Sequence, residues 1–158
     1  MNLTRLRGVL CGVLLGSALF AAACSGGGSS PTSPSSSSSS TPANLAGTWS
    51  GTATDSSGPG VMAWSITQNG GSFSGTLTMT DNGSGTKASG TVSGTLSGSS
   101  ITFSLSVPAG GADGTFSACS ATANGSGTVS VASLTGSYTG TNSCSGALTS
   151  GSVSLNRQ

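Results

Sequence analysis

Asp55, Asp81 and Asp113 are the three acidic residues of this chain, and with Lys87 and Arg157 they carry all the formal charge beyond Arg7. There is no histidine and no glutamate. Hydrolysis by paired carboxylates needs two of them at a fixed separation, one with a raised pKa. Each aspartate here stands in a turn-forming context: Asp55-Ser56-Ser57-Gly58, Asp81-Asn82-Gly83 and Asp113-Gly114. Gathered at one end of a fold they would make an acidic rim for a cation or a polar ligand; turn chemistry accounts for them without one. The many serines offer no nucleophile, because nothing in the chain can serve as their base. Lys87 and Arg157 are too few to neutralise a run of phosphates, which excludes nucleic acid as a partner. The residues predict no catalytic site, no metal site and no cofactor.

The other reactive side chains are Cys11, Cys24, Cys119 and Cys144. Arg5 and Arg7 precede an uncharged apolar run over 9–23, and Ala21-Ala22-Ala23 leads into Cys24 and Ser25. A basic start, an apolar middle and small residues at the cut describe a secretory signal. The run is shorter than the roughly 20 residues a membrane-spanning helix wants. The small residues before Cys24 resemble the lipobox of bacterial lipoproteins. That resemblance implies residues 1–23 as a signal peptide and Cys24 as the acylated N-terminus of the mature chain, anchored in a membrane by its lipid. Two or three acyl chains anchor stably, at about 0.8 kcal/mol per buried carbon. Ser25 in place of aspartate implies sorting to the outer membrane. Residues 24–43 follow as a linker of serine, glycine, proline and threonine, too polar to offset the entropy of ordering. Its reach as a flexible coil is on the order of 25 Å. Cys119 and Cys144 then remain as a pair, and two thiols in an oxidising compartment read as a disulfide.

Residues 44–158 suffice for one domain. No stretch has an apolar helical period; alternation is the signal instead. Met62, Trp64 and Ile66 share a face, as do Phe73, Leu77 and Met79, and Ile101, Phe103, Leu105 and Val107 alternate with Thr102, Ser104 and Ser106. Val129 and Val131 share another face. The opposite face is nearly all serine and threonine. Strands are expected at 47–54, 61–68, 72–80, 88–97, 100–107, 119–131, 134–141 and 150–156. Asn69-Gly70-Gly71 is a tight-hairpin signal, with further short turns at Gly98-Ser99 and near Ala132-Ser133. The connections 55–60, 81–87, 108–118 and 142–149 are longer. Short and long turns therefore alternate, as in an up-and-down meander whose eight strands can close into a barrel and leave no edge. An immunoglobulin-like sandwich is the alternative, without systematic alternation of turn lengths. If Val131 faces Leu134, Cys119 lies within about two residues of opposing Cys144, and a small adjustment joins them.

Asn44-Leu45-Ala46-Gly47-Thr48-Trp49 at the domain's start, with Arg157 at the end of the last strand, resembles the calycin superfamily of lipocalins, fatty-acid-binding proteins and avidins. The resemblance implies that Trp49 plugs the closed end of a barrel and that Arg157 stacks over it. It also implies a small apolar molecule as the ligand of a binding or carrying module at the cell envelope. Gly51, Gly75, Gly94, Gly136 and Gly140 point inward beside Trp64, Phe73, Phe103 and Tyr138. Such glycines either leave a cavity, which those aromatics would line, or let strands coil tightly around a filled core. The second outcome predicts a structural or surface-interaction lipoprotein with no small-molecule ligand.

Overall fold

The computed structural model describes residues 43–158. The expected signal peptide, the expected acylation of Cys24 and the expected linker up to residue 42 lie outside the described residues.

Apolar and hydroxyl side chains alternate along each run, so every strand has one face to bury and one that water solvates without charge. The strands are β1 (Gly47–Asp55), β2 (Gly58–Asn69), β3 (Ser72–Asp81), β4 (Lys87–Ser97), β5 (Ser100–Val107), β6 (Ala121–Val129), β7 (Ser133–Asn142) and β8 (Gly146–Arg157). Each pairs antiparallel with the next, and β1 pairs with β8 to close an eight-stranded up-and-down barrel. Closure through β1 and β8 rules out the sandwich.

The strand ends differ from the sequence expectation in instructive ways. The connection expected over 55–60 is a two-residue turn, because Asp55 pairs with Gly58. Asp55 Oδ1 accepts from the Ser57 amide at 2.8 Å and Gly58 takes φ +130°, so the chain reverses at once and β2 starts three residues early. The β7–β8 connection shortens in the same manner. Asn142 Oδ1 accepts from the amides of Cys144 and Ser145, and Gly146 has φ +85°. Long connections remain only at 82–86 and 108–120, the latter holding a single 3-10 turn at Gly114–Phe116.

Strand β6 is shorter than expected at both ends. Val131 is not a core residue: it sits in the turn between β6 and β7, 87% exposed. The Ser130 hydroxyl stands 2.8 Å from that of Ser133 across this turn, and the pair that faces is Val129 with Leu134. The register is thus shifted by two residues from the expected one. Ala121 opposes Asn142, and two residues further out Cys119 and Cys144 are brought face to face. They form a disulfide with Cα atoms 5.6 Å apart.

Inside, Trp49, Trp64, Leu134 and Leu155 have no exposure and Ile101 and Val92 almost none. The outer face carries cross-strand hydroxyl pairs such as Thr95 with Thr102 at 2.9 Å.

Candidate functional site

Antiparallel pairing sets the two ends of the barrel apart. The start of β1 and the finish of β8 meet at one end, with the turns at Gly70-Gly71 and Gly98-Ser99. The long connections and the disulfide lie at the other.

The first end is closed. Leu45, fully buried, precedes β1, and the Trp49 indole donates to its carbonyl at 2.8 Å. The Arg157 guanidinium lies 4.4 Å from the Trp49 ring centroid. Its Nε donates to the Val131 carbonyl at 2.9 Å, Nη1 to that of Ala46 at 2.6 Å, and Nη2 to that of Asn44. The carboxamide of Gln68 completes the clasp, accepting from the Leu45 amide at 2.5 Å and donating to the carbonyls of Ala43 and Gly70. The sequence analysis does not single out Gln68; the available signal is a polar side chain next in the inward alternation of Met62, Trp64 and Ile66.

The second end carries a shallow apolar pocket of about 40 Å³. Met62 and Met79, cross-strand partners, line it together with Leu77, Leu105 and Leu148. Asp55 and Tyr138 supply its polar edge. The Tyr138 hydroxyl donates to Asp55 Oδ2 at 2.9 Å, while Oδ1 accepts from the Ser57 hydroxyl at 2.5 Å. Burial, followed by the hydrogen bond to Asp55 and the charge of Asp55, raises the Tyr138 pKa well above the ordinary tyrosine range. Tyr138 can lie flat because Gly151 stands behind it: a Cβ there would sit 2.5 Å from Tyr138 Cδ2. Leu148 reaches the interior because a bulge shifts the β7–β8 register between Tyr138 and Gly140. Simple alternation along β8 hides it.

Of the four aromatics named in the sequence as cavity lining, Tyr138 alone borders this pocket. Trp64, Phe73 and Phe103 fill the interior instead. Trp64 and Phe103 meet edge to face, centroids 5.3 Å apart and planes at 63°, the arrangement that aromatic quadrupoles favour. Phe103 occupies the space a side chain at Gly125 would need, since a Cβ there would overlap its ring. Phe73 does the same opposite Gly94, where a Cβ would come within 2.7 Å of Cζ. At Gly94, Gly125 and Gly136 a ring from another strand stands where the absent side chain would go, whereas at Gly51, Gly75 and Gly140 a Cβ would meet the adjacent strand itself. Trp64 Nε1 is buried, and among the described residues it has no hydrogen-bond partner.

The remaining carboxylates hold backbone. Asp81 Oδ1 accepts from the amides of Gly83 and Ser84 and from the Ser84 hydroxyl. Those bonds, the Ser84 amide foremost, lower its pKa. Asp113 Oδ1 accepts from the Lys87 amide at 2.9 Å and ties the long connection to β4. Among the described residues no three of His, Cys, Asp or Glu come together as a metal site.

Comparison with protein families, with curated proteins and with solved structures found no match to this chain.

Proposed function

We propose that this chain is a non-catalytic lipoprotein of the cell envelope, held to the membrane by an acylated Cys24, whose filled barrel serves as a structural or surface-interaction module. The observation that carries this reading is the interior. Pockets that enclose small organic ligands usually measure about 300–1,000 Å³, and the pocket here has about 40 Å³. Trp64, Phe73 and Phe103 take the space a carried molecule would need. The small residues before Cys24 support export and acylation, and Trp49 stacked with Arg157 supports kinship with the calycins. Residue 43, where the linker joins the domain, lies at the closed end, its amide donating to the Gly98 carbonyl.

A second reading, in which the barrel binds a small apolar ligand, is favoured by the methionine and leucine walls of the open-end pocket. Its volume limits such a ligand to a few heavy atoms.

Native and denaturing mass spectrometry of the exported chain, after challenge with a lipid extract, tests the proposal. A bare native mass is expected, with a denatured mass that includes the acyl groups. A lipid adduct retained natively and shed on denaturation would overturn the filled-barrel reading in favour of a carrier.

A further inference from the structure

We infer that the open-end pocket receives a primary alkylammonium group, its methylenes against Met62, Met79 and Leu105 and its charge against the Asp55 carboxylate. Three features of the site lead there. The walls are apolar and include two thioethers, which are polarisable and adapt to an inserted alkyl chain. The single charged group on the rim is a carboxylate, and its hydrogen-bond partners are neutral: the Ser57 amide, the Ser57 hydroxyl and the Tyr138 hydroxyl. A carboxylate at the lip of an apolar pocket attracts a cation more strongly than one in open water, because less solvent screens it. The third feature is size. A pocket of about 40 Å³ has room for about three water-sized positions, which suits a short chain of methylenes and not an acyl tail.

The connections at this end argue for the same polarity. Asp81 and Asp113 also lie at this end, as does Lys87, whose backbone amide donates to Asp113, so an approaching cation meets more negative than positive charge. A neutral alcohol of the same length would fill the walls but leave Asp55 as it is. A carboxylate ligand would be repelled by it. The inference goes beyond the proposed function and does not depend on acylation of Cys24. Two sources supply the chemistry: the end of a lysine side chain on a partner protein, or a free amine.

The test is a methyl-resolved NMR titration of the full chain with n-butylammonium, n-butanol and butyrate, repeated with a lysine blocked at both backbone ends. Butylammonium is expected to move the Met62 and Met79 methyl signals with a Kd of about 1–10 mM. Butanol should bind about fivefold more weakly, a difference typical of one partly exposed charge pair, and butyrate should leave the signals in place. Asp55→Asn, which keeps the acceptor for Ser57, should erase the preference for the ammonium. Tyr138→Phe keeps the charge and should preserve the preference, so a folding defect at the rim is told apart from loss of the carboxylate. Blocked lysine binding as tightly as butylammonium would identify a protein lysine as the source; binding by the free amine alone would identify a small molecule. Equal affinity for butanol and butylammonium, an unaltered preference in folded Asp55→Asn, or shifts that spare both methionines would overturn the inference.

Discussion

The Arg157 guanidinium lies over the Trp49 ring at 4.4 Å and reaches the carbonyls of Ala46, Asn44 and Val131 at the same time. One side chain thereby joins β8, the segment entering β1 and the β6–β7 turn. Arg157→Ala is expected to cost about 2–3 kcal/mol, from one cation–π contact and several charge-assisted hydrogen bonds. Arg157→Lys should recover less than half, because an ammonium is a point charge and lacks the planar fork. Urea unfolding of the two variants measures this; a loss in Arg157→Ala below about 0.5 kcal/mol would mean the clasp is ornamental to stability.

Cys119 and Cys144 close a loop of sequence separation 25. On the chain-entropy estimate this stabilises by about 3.5 kcal/mol. The double Cys119→Ser, Cys144→Ser variant should lose roughly that amount in urea unfolding and become indifferent to reductant. An unchanged midpoint would show that the long connection is held by Asp113 and its neighbours alone.

Gly125→Ala tests the exchange of ring for side chain inside the barrel. Its Cβ would overlap both the Phe103 ring and the Ser137 carbonyl, so a loss of about 2–3 kcal/mol is expected for overpacking. Phe103→Leu in the same chain should recover part of that loss, since it removes the ring but not the carbonyl. Additive losses in the double variant would contradict the coupling.

Tyr138 is the only tyrosine, so its phenolate absorbance titrates one group. The folded state holds the Tyr138 proton more tightly than the unfolded state, whose value is the ordinary 10.0. The resulting stabilisation is complete below that pH and is lost as pH rises from there towards the folded pKa. The slope is at most about 1.4 kcal/mol per pH unit, the limit for one proton. Unfolding followed against pH in the parent and in Tyr138→Phe should show this alkaline loss in the parent and its absence in the variant. Asp55→Asn should bring the phenolate transition down.

The sequence made the barrel legible because apolar and hydroxyl residues alternate with so little interruption. Gly47-Thr48-Trp49 and Arg157 located the closed end, and the two cysteines located each other. Besides Gln68 and Leu148, three things stayed hidden. The turns at Asp55 and Asn142 are short because a side-chain oxygen replaces a backbone acceptor, which lets the strands run on past the last apolar residue. Val131 continues the apolar alternation of β6 yet stands in a turn, because the Ser130 and Ser133 hydroxyls close it. Whether Gly94 and Gly125 face a void or a ring depends on which strand lies opposite and at which register, and single-strand alternation does not contain that.

The central claim is that the interior is occupied by its own side chains, and the Trp64 indole reports on it. Its Nε1 is buried and unpaired beside Phe103, while Trp49 Nε1 at the closed end is hydrogen-bonded and serves as the reference. The measurement is the pair of indole N–H signals of the full chain, followed through a titration with fatty acids of increasing length. A filled barrel predicts that the Trp64 signal stays where it is with every chain length. A saturable shift of Trp64 with a long acyl chain, Trp49 unmoved, would contradict the claim and make the barrel a carrier.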